Sequence, residues 1–76
     1  MKKIENSECL AGFSEFIKDG REKRNMLQSE VAELAGITQA YYSMLERGLR
    51  EPDLIVAMKI CKALRLNLSK FIKRYM

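Results

Sequence analysis

The run from Gln28 to Pro52, QSEVAELAGITQAYYSMLERGLREP, constrains the fold more than any other part of the chain. Val31, Ala32 and Ala35 lay an apolar stripe at helical spacing, and Gly36 then offers the positive φ that a sharp helix exit requires. Ile37 returns to the core, and Thr38 is placed to cap a second helix. That helix buries Tyr42 and Leu45, which leaves Gln39, Ala40, Ser43, Met44 and Arg47 near its opposite face before Gly48 ends it. The small residues Ala32 and Ala35 matter because two helices crossing at about 90–120° through a short turn must approach closely there. The spacing predicts helices over about 28–35 and 38–47.

The remainder also reads as helix, with five in all and no strand signal. Ser7 or Ser14 is the candidate cap of the first, whose Phe13, Phe16 and Ile17 face inward and which ends near Arg24-Asn25, where asparagine tolerates a left-handed exit. A loop with Gly48 and Pro52 leads to a helix over about 53–64, with Leu54, Ala57, Met58, Cys61 and Leu64 on one face. Asn67 caps a last helix over 68–75 carrying Leu68, Phe71, Ile72 and Tyr75. Without repeats or low-complexity linkers, the expected organisation is an N-terminal arm over 1–12 and one all-α domain over 13–76. A chain of 76 residues buries only about 60% of its unfolded surface, so its stability is modest and dimerisation would help.

Composition excludes several classes of function. No apolar run approaches a membrane span, and the Met1-Lys2-Lys3 start lacks the apolar stretch of a secretory signal, so a cytoplasmic location is expected. Cys9 and Cys61 are too few for a disulfide framework, and without histidine or a CxxC pair no metal site or cofactor suggests itself. Both thiols are expected free, Cys61 as a small core residue. An enzyme is not expected, because there is no phosphate-cradling glycine loop and no nucleophile with a base beside it. Charge says less. The formal +4 comes mainly from residues 51–76, with six basic and two acidic groups, whereas residues 21–50 balance to +1.

The segment LQSEVAELAGITQAYYSMLERGLREP resembles the helix-turn-helix of phage Cro and repressor proteins, the XRE family, and the match covers about residues 13–72. It rests on Gln28 opening the first motif helix, Ala32 four residues before Gly36, Ser43, the Glu46-Arg47-Gly48 triplet, Pro52, and KICKALRLNLSKF resembling the family's closing helices. The resemblance implies a five-helix lambda-repressor-like domain. Its expected partner is double-stranded DNA, and its expected function is sequence-specific transcriptional regulation, as a repressor on a palindromic operator.

Side chains on a helix in the major groove read base edges, and a glutamine amide can pair with adenine N6 and N7 together, so Gln39 is the leading base reader. Ala40 and Met44 suit a thymine methyl, and Ser43 suits a base edge or a phosphate. Gln28, at a helix start, is expected on the DNA backbone, as are Thr38, Tyr41, Arg47 and Arg50. By the resemblance, Arg21 and Glu46 form a partly buried ion pair that locks the third helix to the first. One reading helix makes few base contacts, so a homodimer on half-sites about 34–36 Å apart is expected. Phe71, Ile72, Tyr75 and Met76 are its candidate interface, although some of them must close the monomer core. The alternative is a protein-binding module, antitoxin-like or a regulatory partner, on the same scaffold. The polar set Gln28, Gln39, Ser43 and Arg47 argues against it.

Three residues depart from the family pattern. Leu27 replaces a Ser or Thr cap worth about 1 kcal/mol, so the second helix is expected to fray at its start. Gly20 stands where a large apolar residue is usual, which predicts a kink or unusual packing in the first helix. Arg65 replaces the glycine expected after the fourth helix.

Overall fold

Four left-handed residues, one at each junction, divide the described part of the chain into five helices: Asn25 (φ 54°), Gly36 (71°), Gly48 (72°) and Arg65 (54°). The structure is a computed structural model that describes residues 5–74. Its helices are α1 (Asn6–Lys23), α2 (Gln28–Ala35), α3 (Gln39–Glu46), α4 (Leu54–Ala63) and α5 (Leu68–Lys73), with no strand among the described residues. The glycines adopt the left-handed conformation without steric cost, whereas Arg65 holds it with a side chain present.

Helix starts follow their capping chemistry. Thr38 Oγ1 accepts the Tyr41 N–H at 3.1 Å, Asp53 Oδ1 that of Val56 at 2.8 Å, and Asn67 Oδ1 that of Ser69 at 2.9 Å. Leu27 has no side-chain acceptor, yet α2 begins where expected because the reciprocal bond of a capping box survives. The Leu27 N–H donates to Glu30 Oε1 at 2.8 Å.

Two expectations are corrected at α1. The helix begins at Asn6 with Glu5 at its cap position, so neither Ser7 nor Ser14 caps it, and residues 6–12 of the expected arm form its first turns. Leu10, half-buried, continues the Phe13 and Ile17 stripe one turn toward the N-terminus and gives that turn a surface to pack on. At Gly20 the helix runs on unbroken. A Cβ there would lie 2.6 Å from Leu66 Cδ1, so the glycine is a slot into which Leu66 packs.

Ile17, Val31, Tyr42, Leu45, Ile60 and Leu64 are fully buried and form the centre of the core. Side chains of this size contribute about 1.5–3 kcal/mol each when taken wholly out of water. On α4 the inward stripe is Ala57, Ile60, Cys61 and Leu64. Met58 and Leu54, expected inside, are 52% and 63% exposed. Spacing at 3.6 residues per turn fits both stripes, and packing against the neighbouring helices selects the one containing Ile60. The α5 residue Phe71 meets Phe13 edge-on, with ring centroids 5.5 Å apart, and lies 5.3 Å from Phe16. The α5 helix ends at Lys73, and Tyr75 lies outside the described residues.

Candidate nucleic-acid interface

Helix α3 presents two chemically distinct faces because its sequence separates them by about half a turn. Tyr42, Leu45 and Glu46 point inward and are buried. Gln39, Ala40 and Arg47 are exposed, with Ser43 and Met44 half-buried between them, at spacings that place all five along one side of the helix. Thr38 is exposed at the start, where its hydroxyl is engaged by the Tyr41 N–H. Tyr41 is half-buried and packs against the core cluster. Arg50 is exposed in the segment that follows Gly48.

The inward end of α3 is held by a polar hub. Glu46 has a side chain only 2% exposed, and Arg21 grips it with Nε donating to Oε2 at 2.6 Å and Nη2 to Oε1 at 3.1 Å. This two-pronged geometry suits the planar guanidinium. The Arg21 Nη1 donates to the Met26 carbonyl at 2.9 Å, which ties the same side chain to the loop before α2. Gln28, the first residue of α2, donates from Nε2 to Glu46 Oε1 at 3.0 Å. One carboxylate therefore joins α1, α2 and α3.

Burial opposes ionisation of Glu46, but the donors around it outweigh that effect and hold the carboxyl below its ordinary value. The hydrogen bond to Glu46 raises Arg21 in turn, against the opposing effect of burial. The fully buried Tyr42 hydroxyl lies against the same carboxylate without a hydrogen bond of standard geometry. Burial first, and then the negative charge, keep it protonated.

A second tie lies about two turns of α1 before Arg21. The buried Ser14 Oγ is 2.6 Å from the Leu45 carbonyl and 2.9 Å from that of Leu10. The hydroxyl carries one proton, and the shorter contact is the one that crosses to α3. The sequence suggests for Ser14 only the role of a possible cap. The signal available for its actual role was a polar residue set between Phe13 and Ile17 on an inward stripe. The sequence places Gln28 on the DNA backbone; in the fold its side-chain amide is committed to bracing Glu46. As the first residue of α2 it also carries one of the backbone N–H groups that helix geometry leaves without an intrahelical partner.

The candidate dimer residues divide differently. Phe71 is 8% exposed and closes the monomer core against Phe13 and Phe16, so it is not available as an interface residue. Ile72 is 41% exposed. Tyr75 and Met76 lie outside the described residues. Among the described residues no group of His, Cys, Asp or Glu could hold a metal ion, and no helix is long and apolar enough to cross a membrane.

The helix-turn-helix family model matches residues 17–71. The chain is 39% identical over 56 residues to the uncharacterized HTH-type transcriptional regulator YqaF of Bacillus subtilis (strain 168), covering 74% of each. It is 40% identical over 52 residues to the uncharacterized HTH-type transcriptional regulator MT0491 of Mycobacterium tuberculosis (strain CDC 1551 / Oshkosh), where the match covers 68% of this chain and 37% of that longer relative. The fold superposes with a TM-score of 0.78, at 25% identity and 88% coverage of each chain, on the restriction-modification controller protein C.Esp1396I, solved as a tetramer in complex with its natural 35 base-pair operator.

Proposed function

The chain belongs to the XRE-type helix-turn-helix family of transcriptional regulators, and from that premise we propose that it binds double-stranded DNA sequence-specifically, as a homodimeric repressor on a palindromic site. The observation that carries this reading is the outer face of α3. It is polar at Gln39, Ser43 and Arg47, small at Ala40, and accessible, while the same helix is fastened from behind through Glu46 and the Leu45 carbonyl. A reading helix needs that combination, since base discrimination requires side chains held in register with the groove edges. Gln39 is the principal base reader in this proposal, with Ala40, Ser43 and Met44 beside it. Gln28, Thr38, Tyr41, Arg47 and Arg50 contact the DNA backbone. The C.Esp1396I complex with its operator supports the choice of DNA as partner. Occupying a promoter is the means of repression.

The test is selection of bound duplexes from a randomised DNA pool, then titration of the winner and its scrambled version at several salt concentrations. A two-fold symmetric site preferred by about 10³ or more is expected. Weak binding with no enriched motif, vanishing as salt rises, would show only charge attraction and sink the proposal.

A further inference from the structure

We propose that two copies of this chain pair through the exposed ridge of α4, with the two α4 helices antiparallel about a two-fold axis. This deepens the homodimer of the preceding reading and rests on it. Leu54, Ile55 and Met58 are 63%, 59% and 52% exposed and stand within four residues of one another on successive turns, so they form one continuous apolar ridge. The other large exposed apolar residues, such as Leu27, Leu34 and Leu49, are spread over different elements. Grooves flank the ridge on both sides. One, of about 420 Å³, is lined by Ile55, Met58, Leu66 and Leu68; the other, of about 240 Å³, by Leu54 and Ile72 among others. A ridge beside grooves of the same character is the shape that helix packing between identical surfaces requires.

Charge chooses the occupant. The ridge has exposed Glu51 and Asp53 at its start and exposed Lys59 and Lys62 toward its end. A second copy rotated about an axis across α4 sets each acidic end against the other copy's basic end and opposes the two helix dipoles. A parallel arrangement would set like on like. Centred between residues 56 and 57, the antiparallel register puts Ile55 of one copy against Met58 of the other and Glu51 near Lys62. Each contact occurs twice by symmetry.

Sedimentation equilibrium of the full chain tests this, with far-UV circular dichroism confirming that the variants keep their helix content. The wild type is expected to dimerise at tens of micromolar. Met58→Glu, which sets a carboxylate in the apolar ridge, should weaken the dimer about 100-fold or more. Glu51→Lys and Lys62→Glu should each weaken it about tenfold, from two exposed pairs worth roughly a few-fold each, and the double charge swap should restore the wild-type constant. A wild-type chain that stays monomeric at high micromolar concentration would overturn the homodimer and this interface together, leaving the ridge to a different protein. A dimer indifferent to Met58→Glu would keep the homodimer and overturn the ridge. Single swaps that weaken the dimer without rescue by the double swap would overturn the antiparallel register.

Discussion

Two adjacent stripes of α1 do different work with different forces. Ser14 and Arg21, seven residues apart, face α3 and hold it by directed bonds to the Leu45 carbonyl and the Glu46 carboxylate. Phe13, Phe16 and Gly20 face α5 and the turn before it, and there the contact is aromatic packing and a slot filled by Leu66. Arg24 adds a polar tie to that second seam, its Nε donating to the Leu64 carbonyl at 2.6 Å. Apolar contact is non-directional and fixes how much surface is hidden. Hydrogen bonds to a buried carboxylate fix an orientation, because leaving any partner unmatched is costly. The seam that orients α3 is the polar one.

The largest expected effect comes from breaking the polar seam. Arg21→Ala leaves the Glu46 carboxylate buried without its counter-ion and should cost about 3–5 kcal/mol in denaturant unfolding. Glu46→Ala should likewise lower the melting midpoint more than an average surface change. A loss below about 1 kcal/mol for Arg21→Ala would mean that apolar packing positions α3 after all.

The apolar seam is attacked by Gly20→Leu, which fills the slot that Leu66 occupies and should cost about 1–3 kcal/mol. Combining it with Leu66→Ala should recover most of that loss, and independent additive losses would show that the two side chains do not share the space. Gln39→Ala lies outside both seams. It should leave the melting midpoint unchanged while reducing discrimination between the selected and scrambled duplex by about 1–3 kcal/mol, read by titration.

A smaller effect distinguishes the seams by pH. The Glu46 carboxyl is held below its ordinary value of 4.5 in the folded state, so its stabilisation is present above that pH and is lost as pH falls through the lower folded value. Glu46→Gln should flatten the unfolding profile in that acid window, and the apolar variants should not. The smallest effect is a gain. Arg65→Gly relieves a side chain at φ 54° and should stabilise by about 1 kcal/mol or less, visible as a small rise in the melting midpoint.

Much of the fold was legible because local chemistry and global packing agree. Gly36, Thr38, Asn25 and Asn67 each have one conformational use at their positions, and each is found in it. The start of α2 does not fray as its missing cap predicts, because the Glu30 carboxylate accepts the Leu27 N–H. The buried face of α4 differs from the expected one because two apolar stripes overlap in one short helix, and periodicity does not rank them. The outer face of α3 was legible as polar residues left over after the core was chosen. The bracing by Ser14 and Gln28 was not, since it joins residues 31 and 18 positions apart.

Local chemistry along the chain sets where it turns, where α3, α4 and α5 begin, and that one helix of the pair carries a polar outer face. Those outcomes depend on φ preferences, capping groups and 3.6-residue periodicity, all of which act over a few neighbours. Packing between distant segments sets which stripe of α4 is buried, that Gly20 receives Leu66, that Phe71 is committed to the monomer core, and that Glu46 joins three helices. These outcomes depend on which surfaces meet across long separations in the chain, and there close packing and the cost of an unpaired buried charge select one arrangement from several that local preference allows equally.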